Sequence, residues 1–220
     1  MANYRSVFDI IGPVMVGPSS SHTAGAVAIG NAARLIFQKT PKKVVVHYYE
    51  SFAKTHRGHG TDFAIAGGLL GMTPDDERIP NAPKLVAEAG VKLRFVEEDG
   101  TSPINHPNTA IISMSDDEKQ ITVGGCSIGG GIIEIRLIEF QGNKMNLTGP
   151  LPMVLYLVHG KNNPLVNELN EILEQEASLQ KVQKWPIGDS ELFEFDIAKY
   201  LSPECFSELQ EKFKGIIYLK

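Results

Sequence analysis

The residues best suited to chemistry lie in four short polar segments. The first is Gly17-Pro18-Ser19-Ser20-Ser21-His22-Thr23-Ala24-Gly25, just ahead of a helical pattern. A helix start presents unsatisfied N–H groups and a partial positive charge, so it can hold a carboxylate or phosphate. Ser19, Ser20, Ser21 and Thr23 add hydroxyl donors, and His22 can carry or accept a proton near neutral pH. The plainer reading is a serine-rich cap with a hydrogen-bonded histidine. The second segment, Thr55-His56-Arg57-Gly58-His59-Gly60-Thr61-Asp62, again precedes a helical pattern. Its glycines permit close backbone approach to a ligand, and Asp62 could orient an imidazole or balance its charge. A surface loop with Thr61 and Asp62 as caps is the competing reading. The third, Asn105-His106-Pro107-Asn108-Thr109, reads as a turn entering a strand. In the fourth, Ser127-Ile128-Gly129-Gly130-Gly131, backbone amides could cradle an anion, or the glycines could form a bulged turn. His56 and His59 raise a zinc site, but no matching Cys or His pair gives a standard spacing. The serines lack the G-x-S-x-G setting of a serine hydrolase.

The elements that must position these groups follow from periodicity and punctuation. Residues 24–37 have helical spacing with Ser and Thr upstream, and 61–71 is an Ala/Leu-rich helix ended by glycine. Residues 43–50, 92–97, 109–114 and 132–140 read as strands, with glycine turns at Gly124-Gly125 and Gly129–Gly131. The stretch 141–152, QGNKMNLTGPLP, reads as a linker. Beyond it come a strand at 151–158, a break at 160–163, and a helix opened by Pro164 with Leu165, Val166, Leu169, Ile172 and Leu173 on one face. Strands at 179–187 and 191–197 flank the turn Gly188-Asp189-Ser190. Ser202-Pro203 opens a helix with Phe206, Leu209 and Phe213 on one face, and 216–219 is a last strand. The expected fold class is α+β: a domain over 1–145, then a ferredoxin-like βαββαβ domain over 150–220.

Composition narrows the function classes. With 42% apolar and 21% charged residues the chain is ordinary for a globular protein, and a net charge of -5 argues against nucleic acid. No apolar run approaches the roughly 20 residues of a membrane helix. Asp9 and Gly12-Pro13 interrupt the apolar stretch Met1–Val16, and no small-residue cleavage site follows. No signal peptide is therefore expected, and the cytoplasm is. The two cysteines, Cys126 and Cys205, are expected as reduced thiols, too few for the usual thiolate set of an iron–sulfur cluster.

Taken together, GPSSSHTAGA at 17–26, GHGTD at 58–62, HPNT at 106–109 and SIGGG at 127–131 resemble the β subunit of iron–sulfur L-serine dehydratases in order and spacing, over roughly residues 5–140. The resemblance implies a lyase that converts L-serine to pyruvate and ammonia. Its [4Fe–4S] cluster is held by the cysteines of a partner α subunit and acts as a Lewis acid without pyridoxal phosphate. This chain ends without an α region, which implies the two-subunit form, inactive alone. By the same resemblance His22 and His59 are the candidate proton-transfer residues, and Ser19, Ser20, Ser21 and Thr23 would grip the serine carboxylate. Thr61, Asp62, His106, Asn108, Gly129 and Gly130 are further substrate contacts, and no metal ligand is expected on this chain. The C-terminal part resembles an ACT domain, a module that often senses amino acids. It has Asn163-Pro164-Leu165 where such domains commonly carry a Pro-Gly-like pair, which argues against effector binding there. A second resemblance, to the allosteric substrate-binding domain of some 3-phosphoglycerate dehydrogenases, keeps open a non-catalytic sensing module. A purely structural subunit and homodimerisation also stay open.

Overall fold

The computed structural model describes residues 13–160 and 163–220. Most of the Met1–Val16 stretch, and two residues of the break at 160–163, lie outside the described residues. The chain divides into two compact units between Asn146 and Leu147.

In the first unit a π-helical turn, Ser20–Ala24, runs directly into helix α1 (Gly25–Phe37). The helix therefore starts four residues earlier than its apolar pattern shows, and His22 lies inside the first turn instead of ahead of it. Strand β1 (Lys43–Tyr49) leads into α2 (Glu50–Thr55), α3 (Thr61–Leu69), a 3₁₀ turn (Ile79–Asn81) and α4 (Ala82–Glu88). Strand β2 (Lys92–Glu98) then returns parallel to β1, a crossover connection. Strands β3 (Asn108–Ser115), β4 (Gln120–Gly129), β5 (Ile132–Phe140) and β6 (Asn143–Asn146) continue as an antiparallel meander. The sheet order is β2-β1-β3-β4-β5-β6.

Two sequence expectations change here. Gly124 and Gly125 are not a turn; they lie inside β4, where a register shift separates them. A Cβ at Gly125 would sit 3.0 Å from Ile29, so the missing side chain lets α1 lie close on the sheet. Part of the supposed linker is strand β6, hairpinned onto β5 through Gln141-Gly142.

Helices α1 and α3 cross at their glycines. A Cβ at Gly68 would lie 2.2 Å from the Val27 carbonyl oxygen, and one at Gly30 would lie 2.5 Å from that of Ile65. The backbones thus touch directly. The turn that carries His22 runs into α1 and His59 lies two residues ahead of α3, so the crossing bears on where both imidazoles stand.

The second unit contains β7 (Met153–His159), α5 (Pro164–Ala177), β8 (Leu179–Ile187), β9 (Ser190–Ile197), α6 (Pro203–Lys212) and β10 (Ile217–Leu219). Its antiparallel sheet has the order β10-β7-β9-β8, the ferredoxin-like arrangement for a βαββαβ chain. The Asn163 side chain accepts from the Leu165 amide at 3.0 Å and that of Ser202 from the Cys205 amide at 3.1 Å. Each caps a helix that opens on proline. Val154, Tyr156 and Phe195 of the sheet pack with Leu169, Leu173 and Phe213 as its core. Among the described residues no helix is long and apolar enough to cross a membrane.

Candidate functional site

His22 is the hub of the first unit's polar cluster. Ser19 caps the π turn: its hydroxyl accepts from the His22 amide at 3.3 Å and its carbonyl from the Thr23 amide at 2.8 Å. The His22 ring is buried, with Nδ1 at 2.9 Å from Ser21 Oγ and 3.4 Å from Ser19 Oγ. On its other side Nε2 lies 3.4 Å from Ser51 Oγ. Phe52 packs against the ring at 5.0 Å, and His59 meets it edge-on at 4.8 Å with an interplanar angle of 84°. Burial, and after it the charge of His59, hold His22 below the ordinary imidazole range. It is thus held towards the neutral form, in which one ring nitrogen accepts.

The loop carrying His59 is fixed by its backbone. The His59 amide donates to Thr55 at 3.0 Å, and its carbonyl accepts from Thr23 Oγ1 at 3.4 Å. His59 Nδ1 is buried with no hydrogen-bond partner, and so is the hydroxyl of the fully buried Thr61. A buried polar atom left unpaired costs about 1–3 kcal/mol, so such atoms mark places where an incoming group can bond. His59 also lines a cavity of about 330 Å³ with Val16, Pro18 and Phe63.

Asp62 does orient an imidazole, but it is that of His56: Asp62 Oδ1 lies 2.7 Å from His56 Nδ1. The other nitrogen, Nε2, lies 2.9 Å from Glu97 Oε1. Both ring nitrogens of His56 are therefore occupied by carboxylates, which removes it from any paired-histidine metal site.

The third segment reaches the hub through its backbone. The Pro107 carbonyl accepts from the amides of Ser51 at 2.9 Å and Phe52 at 3.3 Å, which anchors the start of α2 beside His22. Glu50, the turning point from β1 into α2, takes a positive φ of 45° that non-glycine residues seldom adopt. Its carboxylate accepts from the Ser102 amide at 3.1 Å. His106 Nδ1 accepts from the Asn108 amide at 3.1 Å, so the neutral ring carries its proton on Nε2. Burial and then the charge of Arg136 lower its proton affinity. Asn108 Nδ2 donates to the Ser127 carbonyl at 3.2 Å, which links this segment to the fourth.

Gly129, Gly130 and Gly131 all have positive φ and form the tip of the β4–β5 hairpin. That tip abuts the His22 turn, since a Cβ on Gly131 would lie 3.4 Å from Ala24. The Ser127 hydroxyl is fully buried without a partner and stands 2.2 Å from where a Cβ on Gly25 would be. The four segments are thus joined around one histidine, with His106 one contact further out through Asn108 and Pro107. Ser51 and Phe52, which the sequence reading passed over, supply two of the contacts to His22. Their only signal is position, immediately after a strand that ends on a polar residue.

The thiols do not fit an iron–sulfur cluster. Cys126 is fully buried, and burial pushes its thiol up to about 11, far from the thiolate that ligation needs. Cys205 belongs to the second unit, and burial raises its thiol too. Among the described residues no group of three or more His, Cys, Asp or Glu side chains is placed to hold a metal ion.

Comparison with known proteins bears on this geometry. The family model described as serine dehydratase beta chain matches residues 6–136, the region containing all four segments. The chain is 41% identical over 210 residues to a probable L-serine dehydratase, beta chain, of Bacillus subtilis, covering 94% of each. It is 42% identical over 149 residues to an L-serine dehydratase, beta chain, of Peptoniphilus asaccharolyticus, covering 64% of this chain and 66% of that relative. Against L-serine dehydratase 2 of Escherichia coli the identity is 33% over 129 residues, and the match spans 28% of that longer protein.

Proposed function

This chain belongs to the serine dehydratase beta chain family, and on that premise we propose that it is the β subunit of an enzyme converting L-serine to pyruvate and ammonia. The partner is an α subunit that holds a [4Fe–4S] cluster. Electrophilic assistance to the leaving hydroxyl is the cluster's chemistry and belongs to the partner. This chain binds the substrate and moves a proton.

The observation that carries the reading is the His22–His59 pair, a buried ring met edge-on at 4.8 Å by a half-buried one, above a serine-capped helix start. The first N–H groups of the Ser20 turn and the hydroxyls of Ser19, Ser20 and Ser21 suit a carboxylate, whereas the Thr23 hydroxyl donates its proton to the His59 carbonyl. His22, held towards its neutral form, accepts or relays the α-proton; His59 offers an unpaired Nδ1 beside it. Thr61, Asn108 and the amides of Gly129 and Gly130 are secondary contacts. Asp62 and His106 act by holding other groups in place, Asp62 through His56 and His106 through Asn108. The βαββαβ unit is read as an ACT-like module, and the assembled enzyme as cytoplasmic, where both thiols stay reduced.

The test is co-expression with the α subunit without oxygen and a pyruvate assay on L-serine. Replacing His22 or His59 with Gln, one at a time, is expected to lower kcat by about 10²–10⁴-fold, the usual worth of a proton-transfer group. Turnover within a few-fold of wild type in both variants removes the acid–base role. If the chain binds L-serine while turnover is untouched, the sensing-module reading is favoured instead.

A further inference from the structure

His56 is nearly fully buried, yet it lines a different cavity from His59. Its cavity, of about 730 Å³, is walled by Glu50, Lys54, Arg57 and Glu97. Its ring is held from three sides. Asp62, on α3, sits at 2.7 Å from Nδ1, and Glu97, on β2, sits at 2.9 Å from Nε2. Tyr48, on β1, packs beneath the ring at 4.8 Å and is itself stacked on Phe95. Arg57 braces Glu97 from the solvent side at 2.9 Å, and the hydrogen bond to His56, followed by the charge of Arg57, holds the Glu97 carboxyl below its usual range. Burial and the neighbouring Asp62 keep the Tyr48 phenol protonated. A carboxylate oxygen can only accept a hydrogen bond, so both ring nitrogens of His56 must donate, which a neutral imidazole cannot do.

The backbone of the same residue closes the loop that carries His59. The His56 amide donates to Phe52 at 2.9 Å, ending α2, and its carbonyl accepts from the Thr61 amide at 2.9 Å, starting α3. Residues 57–60 are therefore a short loop pinched at its base by one residue. That base is tied sideways to β2 and to Asp62 by the side chain.

We propose that His56 is a positioning residue: clamped as an imidazolium between Asp62 and Glu97, it fixes the base of the 57–60 loop and so holds His59 against His22. The consequence for turnover rests on the proton-transfer role proposed for that pair; the geometric claim does not. His56→Phe keeps a ring on Tyr48 and removes both donors. Glu97→Ala removes one acceptor from the surface side and leaves the core intact.

In the full-length chain, ring NMR titration of His22 reads the loop directly. Wild-type His22 is held down by burial and by His59, so release of the loop lets water in and takes a like charge away. His22 is expected to titrate at higher pH in His56→Phe, with a smaller shift in the same direction in Glu97→Ala. In the assembled enzyme His56→Phe is expected to lose about tenfold or more in kcat with KM within a few-fold, because the serine cap stays in place. A purely structural role would lower the melting temperature and leave the His22 titration where it was. An unchanged His22 titration in both variants overturns the proposal, and Glu97→Ala alone decides it should His56→Phe not fold. If the wild-type assembly makes no pyruvate and His22 still shifts, the proposed function fails and the positioning role stands.

Discussion

Substituting Gly68 with Ala tests whether the helix crossing sets the site. Gly68 lies on α3 roughly two turns beyond His59 and touches none of the polar groups described above. A Cβ there would lie 2.2 Å from the Val27 carbonyl oxygen, 2.8 Å from the Asn31 nitrogen and 2.9 Å from the Gly30 Cα, all backbone atoms of α1. Ordinary contact needs about 3.5 Å, so the two helices must separate by about 1 Å or more. No side-chain rotation can relieve a clash against backbone. Overpacking of this kind costs about 1–3 kcal/mol, which is several degrees in the melting temperature of a domain this size. The separation is passed to the helix starts, where His22 and His59 meet. A displacement of 1 Å at reacting groups can cost on the order of 10²-fold in rate. The assay is kcat for L-serine in the assembled enzyme beside thermal unfolding of the same preparation. A loss in kcat that persists well below the melting temperature is expected. If Gly68→Ala melts as wild type and turns over within a few-fold of it, the crossing does not set the geometry of the histidine pair.

Three further outcomes follow from the proton affinities. His22 is held below the ordinary 6.5 by burial and by His59, so the acid limb of the kcat/KM profile should lie below pH 6.5; a limb above that value contradicts its assignment as the proton acceptor. In the second unit, burial and then the Asp196 carboxylate push Glu194 up from 4.5 to about 7. The folded chain therefore binds a proton more tightly than the unfolded one, and stability falls as pH climbs from about 4.5 to 7. Glu194→Gln should flatten that slope, measured as melting temperature at pH 5 and pH 8; an equal fall in both proteins rules it out. Finally, a thiol reagent should modify Cys205 in the native chain and reach Cys126 only after denaturation, because Cys126 is fully buried and its thiol sits at about 11. Two rapidly reacting thiols in the folded protein would count against the burial of β4.

Local chemistry was legible in the residues themselves. The βαββαβ order of the second unit could be read because period-2 and period-3.6 patterns alternate there between clear punctuation, with Pro164 and Pro203 each at a helix start and Gly188 in the hairpin turn. The four polar segments could be picked out because Ser, His, Asn and Gly in such density are unusual next to apolar helices, and their order matched a family. Other features were hidden. Gly124-Gly125 looked like a turn because glycine is a turn residue, whereas Gly125 makes room for Ile29 and Gly124 for Ile111 and Leu137, all long-range or cross-strand contacts. Strand β4 and helix α2 escaped notice because a strand with two central glycines and a six-residue helix carry too little periodicity to register.

The partners of each histidine belonged wholly to the tertiary structure. Sequence proximity put Asp62 near both His56 and His59, and only the loop's pinched geometry assigned it to His56. Ser51 met His22 because a positive φ at Glu50 and the Pro107 carbonyl turned the chain there. What the amino-acid order determined by itself was the set of groups and the elements that carry them, since these depend on local sterics and hydrogen bonding. Which groups face each other was decided by backbone-to-backbone packing of α1 on α3, a contact between residues far apart in the chain that leaves only glycines as its trace.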